Sequence, residues 1–187
     1  MNVVEWMDQG AQNVVAPLHR PWLDPVMIAT THVGDAVVTA GLAILAVIVL
    51  LIFRRWRTAA CVAAAVALAF LVGDVGKDEV NRKRPDVAWR PAQYPLPKSP
   101  SFPSGHALDS MALYGALALT VGRRLRSRWL RVFALVFGLG LPLLIGFSRV
   151  YLGVHFFTDV LAGWIVGLLF ALLAGWADMR WQRNPNS

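Results

Sequence analysis

The sequence predicts an all-α fold: a polytopic membrane helix bundle of five transmembrane helices, preceded by an N-terminal amphipathic helix at the membrane interface. Three observations support this prediction. Hydrophobic residues make up 57% of the 187 positions and charged residues only 16%, against roughly 25% charged in typical soluble chains. The apolar residues are collected in long runs. The basic residues cluster between those runs, a pattern typical of membrane proteins.

The first 34 residues are expected to form an interfacial amphipathic segment rather than a span. Apolar residues such as Val3, Met7 and Val14 fall on one face of a helix, whereas polar residues such as Asp8 and Gln12 fall on the opposite face. Such a stripe favours a helix that lies in the plane of the membrane interface.

Residues 35–187 are then expected to form one transmembrane domain. Five apolar runs each approach the roughly 20 residues that a helix needs to cross a bilayer. The runs are 37–53, 58–73, 104–122, 132–148 and 160–177. Five such helices in a soluble chain of this length would leave almost no polar surface. In the fifth run, Gly163 and Gly167 form a GxxxG pair, which predicts close helix packing.

The distribution of arginine predicts the orientation of the bundle. Ten basic residues lie after the first, third and fifth runs, and Asp178 is the only acid among them. The positive-inside rule makes this side cytoplasmic. The N-terminus and the loops at 77–103 and 149–154 are therefore expected outside the cytoplasm, and the C-terminus inside. The net charge of +7 could also indicate nucleic-acid binding, but this clustering favours a membrane protein without a nucleic-acid partner.

Three separated segments bring cations to the outer side. They are Lys77-x6-Arg84-Pro85, Pro103-Ser104-Gly105-His106 and Ser148-Arg149-x5-His155-x3-Asp159. Lys77, Arg84 and Arg149 suit a phosphate group, because arginine offers a bidentate fork and lysine a point charge. No carboxylate cluster suited to Mg²⁺ is present, so these cations would have to neutralise the phosphate. Neither a metal nor another cofactor is expected.

The same segments contain candidates for acid–base and nucleophilic chemistry. Ser104 and Gly105 open a helix, where free backbone N–H groups favour an anion. His155 and Asp159 are four residues apart and share a helical face, so the carboxylate can accept the Nδ1 proton and leave Nε2 nucleophilic. His106 is a second imidazole and a candidate general acid.

Together, these segments resemble the three-part signature of the type 2 phosphatidic acid phosphatase superfamily. The resemblance implies a metal-independent phosphatase that acts through a phosphohistidine. It implies that His155 attacks phosphorus, that His106 protonates the leaving oxygen and that Asp159 orients the nucleophile. The implied phosphate-binding residues are Lys77, Arg84, Ser104, Gly105 and Arg149. Membrane members of this family usually have six spans, one more than the five predicted here.

An active site at the outer membrane–water boundary favours a lipid phosphate or diphosphate as the substrate. The resemblance implies a bacterial inner-membrane enzyme that converts undecaprenyl diphosphate, or another polyprenyl diphosphate, to the monophosphate for lipid-carrier recycling. Phosphatidylglycerophosphate or phosphatidate hydrolysis is an alternative, as is phosphoryl transfer to an alcohol at the same site. A transporter or flippase for a phosphate lipid is a remote alternative. The oligomeric state is not predicted.

Two carboxylates inside apolar runs are expected to support these groups. Asp74 lies three residues before Lys77, and Asp109 lies three residues after His106, each on the same helical face as its neighbour. We expect both to be partners behind the residues that touch substrate. The remaining cations of the long loop are expected to be solvated or to face lipid headgroups. They are Arg82, Lys83, Arg90 and Lys98.

Overall fold

The computed structural model describes residues 1–183, which form seven α-helices, two short 3-10 helices and no strand. The α-helices are α1 (Val3–Val15), α2 (Asp24–His32), α3 (Ala36–Ile52), α4 (Trp56–Val80), α5 (Gly105–Thr120), α6 (Arg128–Tyr151) and α7 (Phe157–Arg183). The 3-10 helices are Ala16–Leu18 and Gly122–Arg124. The all-α prediction is confirmed.

A helix occupies each of the five predicted spans, but not all five are long enough to cross a membrane alone. Helices α4, α6 and α7 have the necessary length and apolar composition. Helices α2 and α3 meet the criterion only together, as a pair bent by 45°. Residues 1–183 thus contain three candidate spans, or four if the bent pair is one span. The count of five stays a prediction.

Helix α5 lies at the centre of the bundle, packed against α4, α6 and α7. Eleven of its 16 residues are buried, so its sides face protein rather than lipid. The predicted GxxxG pair packs tightly against it. A Cβ atom on Gly163 would lie 2.8 Å from the Ser104 carbonyl oxygen, and one on Gly167 would lie 2.5 Å from that of Leu108. Glycine at both positions therefore lets α7 approach the α5 backbone, as predicted.

The N-terminal segment is not one continuous helix. Helix α1 begins at a capping box, in which Asn2 Oδ1 accepts from the Glu5 amide at 2.9 Å and Glu5 Oε2 accepts from the Asn2 amide at 3.0 Å. It ends before Pro17, because proline lacks the N–H group that would continue the helix. Helix α2 follows as a separate element and leads into the bend before α3.

Two polar helix ends extend further than the hydropathy predicts. Lys77 was expected to open the long outer loop, but α4 continues to Val80. Arg149 was expected in the next loop, but α6 continues to Tyr151. Hydropathy marks only the apolar part of a helix, whereas the backbone hydrogen bonds continue into polar turns. The loops themselves are 81–104 and 152–156, so both cations are held on rigid helices.

Charged residues gather at the two ends of the bundle. At one end, Thr58 donates to Asp178 at 2.8 Å, and Arg123 and Arg124 pair with the same carboxylate. At the other end, Lys77 approaches the start of α5. Thr58 and Lys77 are 19 residues apart on α4, or about 28 Å along the helix axis. This separation is close to the hydrocarbon thickness of a bilayer, roughly 30 Å.

Candidate active site

His155 and Asp159 form a buried pair at the start of α7. The Nδ1 atom of His155 lies 3.5 Å from Asp159 Oδ2 and 3.4 Å from Ser101 Oγ. The Asp159 carboxylate is itself fixed, because Oδ2 accepts hydrogen bonds from the Ser101 hydroxyl and, at 2.9 Å, from the Phe156 amide. His155 is only 4% exposed and Asp159 is fully buried. The imidazole is therefore held from its Nδ1 side.

Arg84 occupies the other side of the imidazole. Its Nη1 atom lies 3.0 Å from His155 Nε2 and donates to the Val154 carbonyl at 2.7 Å, while Nε donates to the Ser99 carbonyl at 2.8 Å. A guanidinium group can only donate, so Nε2 is the acceptor and we assign the ring proton to Nδ1. The Nε2 lone pair then points at a cation suited to phosphate.

Burial keeps this imidazole neutral. Desolvation by burial, together with the positive charges of Arg149 and Arg84, lowers the pKa of His155 to about 4 against the opposing effect of Asp159. Burial, together with the charge of Arg149, also lowers the pKa of Arg84 to about 10. At neutral pH the site therefore combines an unprotonated imidazole with a protonated guanidinium, as a histidine nucleophile for a phosphate requires.

Arg149 and Ser104 add buried donors. Arg149 is 2% exposed, and its Nη1 donates to Thr31 Oγ1 at 2.7 Å and to the Tyr94 hydroxyl at 2.5 Å. The Nε atom of Arg149 and the hydroxyl of Ser104 are buried without a hydrogen-bond partner among the described protein atoms. Such donors are costly unless a ligand satisfies them. The Ser104 amide donates to the Asp159 carbonyl at 3.1 Å, which ties the start of α5 to α7.

Lys77 and Gly105 lie side by side. A Cβ atom at position 105 would lie 3.7 Å from Lys77 Nζ and 3.6 Å from Asp109 Oδ2, so glycine leaves the space between these groups open. Lys77 also lies 3.4 Å from Asp74, as the spacing predicts. Asp109 is buried, with its Oδ1 lacking a hydrogen-bond partner among the described protein atoms.

His106 pairs with a carboxylate that the sequence analysis did not single out. Its Nε2 atom lies 2.8 Å from Asp35 Oδ1, and Asp35 Oδ2 lies 2.8 Å from His32 Nδ1. Asp35 stands at the break between α2 and α3. Asp109 was expected to support His106 because it lies one turn further along the same helix. The bent α2–α3 pair instead brings Asp35 to the imidazole.

Arg82 is not a solvated loop cation, contrary to expectation. It pairs with Asp159 Oδ1 at 2.6 Å and with Asp8 Oδ2 at 2.6 Å. Asp8 is only 4% exposed, although the sequence places it on the polar face of α1. It also accepts from the amide and the hydroxyl of Thr158, both at 2.9 Å, and so caps the start of α7. Asp8, Arg82 and Asp159 thus form a chain that reaches the imidazole of His155.

Comparison with known proteins places this site in a family. The profile of the PAP2 superfamily matches residues 58–183, which include all three of the segments described above. The chain belongs to the PAP2 superfamily. It is 31% identical over 186 residues to phosphatidylglycerophosphatase B of Bacillus subtilis, a match that covers 97% of this chain and 88% of the relative. It is also 32% identical over 128 residues to an undecaprenyl-diphosphatase of Sulfolobus acidocaldarius, covering 67% of this chain and 58% of the relative.

The fold is shared as well. The crystal structure of the transmembrane PAP2-type phosphatidylglycerolphosphate phosphatase from Bacillus subtilis superimposes with a TM-score of 0.83 at 30% identity, covering 96% of this chain and 88% of that one. The PAP2 protein described here is therefore an integral membrane phosphatase of the hydrolase class, and a lipid phosphate fits its membrane setting. The family resemblance drawn from the sequence is confirmed.

The donors gathered at this PAP2 site are cationic rather than metal-ligating. Across residues 1–183, no group of three or more His, Cys, Asp or Glu side chains lies close enough together to hold a metal ion. The positive charges of Lys77, Arg84 and Arg149 are the groups placed to neutralise a phosphate.

Sequence reasoning missed the residues that hold the predicted groups in place. These are Asp8, Thr31, Asp35, Arg82 and Ser101. Each one contacts a partner more than 50 positions away, and such contacts leave no periodic signal. The position of Ser101, just ahead of the second segment, was the only available hint.

Proposed function

We propose that this protein is a lipid phosphatase that acts through a phosphohistidine formed on His155. The observation that carries the proposal is the environment of that imidazole. Its Nδ1 atom faces the buried Asp159 carboxylate, and its Nε2 atom faces Arg84. A neutral imidazole with a fixed Nδ1 proton and an unprotonated Nε2 is suited to attack phosphorus, once a phosphate takes the place of Nε2 as the partner of Arg84.

In the first step, Nε2 of His155 attacks phosphorus and the bond to the leaving oxygen breaks. His106 delivers a proton to that oxygen as general acid. The Asp35 carboxylate, 2.8 Å from the imidazole, stabilises the protonated ring from which the proton comes. Asp159 stabilises the positive charge that develops on His155.

In the second step, water attacks the phosphohistidine and the N–P bond breaks. His106, now neutral, accepts the proton of that water, and inorganic phosphate leaves. Throughout, Lys77, Arg84 and Arg149 neutralise the charge on the phosphate oxygens, helped by the Ser104 hydroxyl and the amides at Gly105 and beyond. An alcohol in place of water would make the same site a phosphotransferase.

The site is proposed to face the outer side of a bacterial inner membrane. The arginine-rich end of the bundle, with Arg123 and Arg124, would then be cytoplasmic under the positive-inside rule. We propose that α3 to α7 provide five crossings and that α1 rests at the outer interface, where it presents exposed apolar side chains such as Trp6. A lipid can present its phosphate at this boundary while its chains remain in the bilayer.

Phosphatidylglycerophosphate is the first substrate candidate. Its support is the relative that aligns with 97% of the chain, named as a phosphatidylglycerophosphatase. Undecaprenyl diphosphate, which the sequence analysis favoured, is the second candidate. It is supported by the undecaprenyl-diphosphatase that aligns with 67% of the chain. Both lipids carry a terminal phosphate that fits the same cationic site.

Phosphate release by the full-length protein in detergent tests this proposal. Phosphatidylglycerophosphate, undecaprenyl diphosphate and phosphatidate are supplied at equal concentrations to wild type and to the His155→Ala variant. We expect the glycerophosphate lipid to be hydrolysed with the highest kcat/KM and the variant to be inactive on all three. A higher kcat/KM for undecaprenyl diphosphate would make that lipid the favoured substrate and lipid-carrier recycling the favoured function. A variant as active as wild type would refute the role of His155, whereas a wild type that releases no phosphate from any of the three lipids would favour the transporter alternative.

A further inference from the structure

A cavity of about 270 Å³ lies at the end of the bundle opposite the candidate active site. Four arginines line it: Arg54, Arg55, Arg57 and Arg124. We refer to these four residues and the space between them as the arginine pocket. The pocket is formed by the α3–α4 turn, the start of α4 and the 3-10 helix before α6, and none of its residues takes part in the proposed phosphatase chemistry.

The arginine pocket carries more positive charge than the carboxylate that it contacts can neutralise. Among the described residues this carboxylate is Asp178, which is fully buried and shared by Arg124 with Arg123, a residue outside the pocket. Arg54 and Arg55 are exposed and form no ion pair within residues 1–182. Helix α4 begins here without a side-chain cap, so its first backbone N–H groups add to the positive potential.

The positive-inside rule accounts for the number of arginines at this end but not for their convergence. Arg126, Arg128 and Arg131 belong to the same end and do not line the cavity. Arg54 adopts a left-handed backbone conformation with φ of 55°, where glycine costs least. An arginine side chain is thus present at a position that favours glycine, with its charge beside the cavity.

An apolar groove of about 320 Å³ runs along α4 and α7, and its lining includes Ala64, Leu68 and Trp181. The groove and the arginine pocket are linked through Arg57, which donates to the Trp181 carbonyl at 2.9 Å. The Trp181 ring lies 5.1 Å from the ring of Trp56, which lines the same cavity as the four arginines. The Arg57 guanidinium lies within 6 Å of both rings, at 5.1 Å from Trp56 and 5.8 Å from Trp181. The arginine pocket and the apolar groove therefore meet at the pair Trp56 and Trp181, and tryptophan is a residue enriched at membrane–water interfaces.

We propose that this end of the protein binds one anionic phospholipid of the cytoplasmic leaflet. The phosphate and headgroup occupy the arginine pocket, and an acyl chain lies in the groove along α4 and α7. A free phosphate would use only the charge, whereas the apolar groove linked to the pocket favours a lipid. The site is about 28 Å from the candidate active site along α4, so its occupant is a bound lipid distinct from the substrate.

Native mass spectrometry of the full-length protein in a neutral detergent tests this site. The probes are dioleoyl phosphatidylserine, dioleoyl phosphatidylcholine and inorganic phosphate. One variant combines Arg54→Gly with Arg55→Gln, since glycine suits the left-handed position. The matched control combines Arg126→Gln with Arg128→Gln, which removes the same charge from the same end outside the pocket.

We expect wild type to bind phosphatidylserine more tightly than phosphatidylcholine. Loss of two arginines near a charged headgroup is expected to weaken the tightest phosphatidylserine site about 30-fold, at about 1 kcal/mol per arginine. The control should stay within about threefold. An equal loss in both double variants, or no preference for phosphatidylserine, would overturn the proposal.

A second pair of variants tests the groove. Ala64→Phe fills the groove beside α7 from an exposed position, whereas Ala67→Phe adds the same ring on the α4 face toward α3. The first should weaken phosphatidylserine binding and the second should not. If inorganic phosphate competes at equal concentration and Ala64→Phe has no effect, the pocket holds a free anion and the lipid assignment is wrong. Because no readout is catalytic, failure here is distinguishable from failure of the proposed phosphatase function.

Discussion

Asp8→Asn is expected to slow catalysis although Asp8 does not touch the substrate site. Asp8 accepts three hydrogen bonds, from Arg82 at 2.6 Å and from the amide and hydroxyl of Thr158 at 2.9 Å each. An asparagine side chain has the same shape as aspartate and can still accept a hydrogen bond from the Thr158 amide. It lacks the negative charge that holds Arg82. Arg82 in turn holds Asp159 Oδ1 at 2.6 Å, so the orientation of the carboxylate behind His155 is weakened.

The size of the expected loss of activity follows from the position of Asp8, which contacts the His155–Asp159 pair only through Arg82. In metal sites, loss of a residue that orients a ligand typically costs 10–100-fold in activity. We expect the same range for Asp8, which orients a catalytic carboxylate, equivalent to about 1.4–2.7 kcal/mol of transition-state stabilisation. We expect this loss in kcat, with KM within about threefold, because Lys77, Arg84 and Arg149 make no hydrogen bond to Asp8. Asp8→Ala should additionally lower the thermal midpoint, since removing a helix cap costs about 1 kcal/mol.

The assay is steady-state phosphate release combined with a thermal unfolding curve in the same detergent. Glu5→Gln is the matched control, because it removes a carboxylate from the same helix while glutamine can keep the capping bond to Asn2. The double variant Asp8→Asn with Arg82→Gln should be no slower than Arg82→Gln alone, since the two residues act through one chain. An unchanged kcat in Asp8→Asn, or a rise in KM alone, would refute the reasoning.

Three further outcomes are expected. Because the pKa of His155 is lowered to about 4, its imidazole stays neutral and nucleophilic in mild acid. The value of kcat/KM should therefore stay level down to about pH 5 and fall tenfold per pH unit below pH 4. A fall that begins near pH 6.5, the usual pKa of histidine, would contradict this expectation. Activity should persist in excess EDTA, since cations neutralise the phosphate, whereas loss restored by Mg²⁺ would contradict a metal-independent mechanism. Asp35→Asn should lower kcat about 10–100-fold and shift the limb of the pH profile that reports His106; wild-type rates throughout would remove Asp35 from the mechanism.

The parts of the fold that follow from local sequence were predictable. Apolar runs located the central parts of α4, α6 and α7, because burial in a bilayer needs continuous apolar sequence, but each helix extends beyond its run at both ends. The spacing of His155 and Asp159 predicted that the two side chains meet, but not on one helix as expected. His155 lies in the loop just before α7, and Asp159 lies in the first turn of that helix. The spacing of Asp74 and Lys77 also predicted their contact. For Lys77 and Arg149 the loop boundaries were wrong because both helices continue into polar turns.

The partners of the catalytic groups depend on how distant helices pack, and no local pattern encodes that. Asp8 has the spacing of a surface residue on α1, yet packing of α1 against α7 buries it beside Arg82. Asp109 had the right spacing for His106, but the bend between α2 and α3 brings Asp35 to the imidazole instead. The spacing along one helix predicts which of its own residues can contact each other. Tertiary packing decides which residue of another helix contacts them.

Trapping the phosphoenzyme tests whether the phosphate is transferred to His155. Full-length protein is mixed with phosphatidylglycerophosphate labelled at its terminal phosphate and quenched in alkaline detergent, in which phosphohistidine survives. We expect acid-labile, alkali-stable label on wild type and none on His155→Ala. Label that persists in His155→Ala, or that resists acid in wild type, would contradict a phosphohistidine at this position.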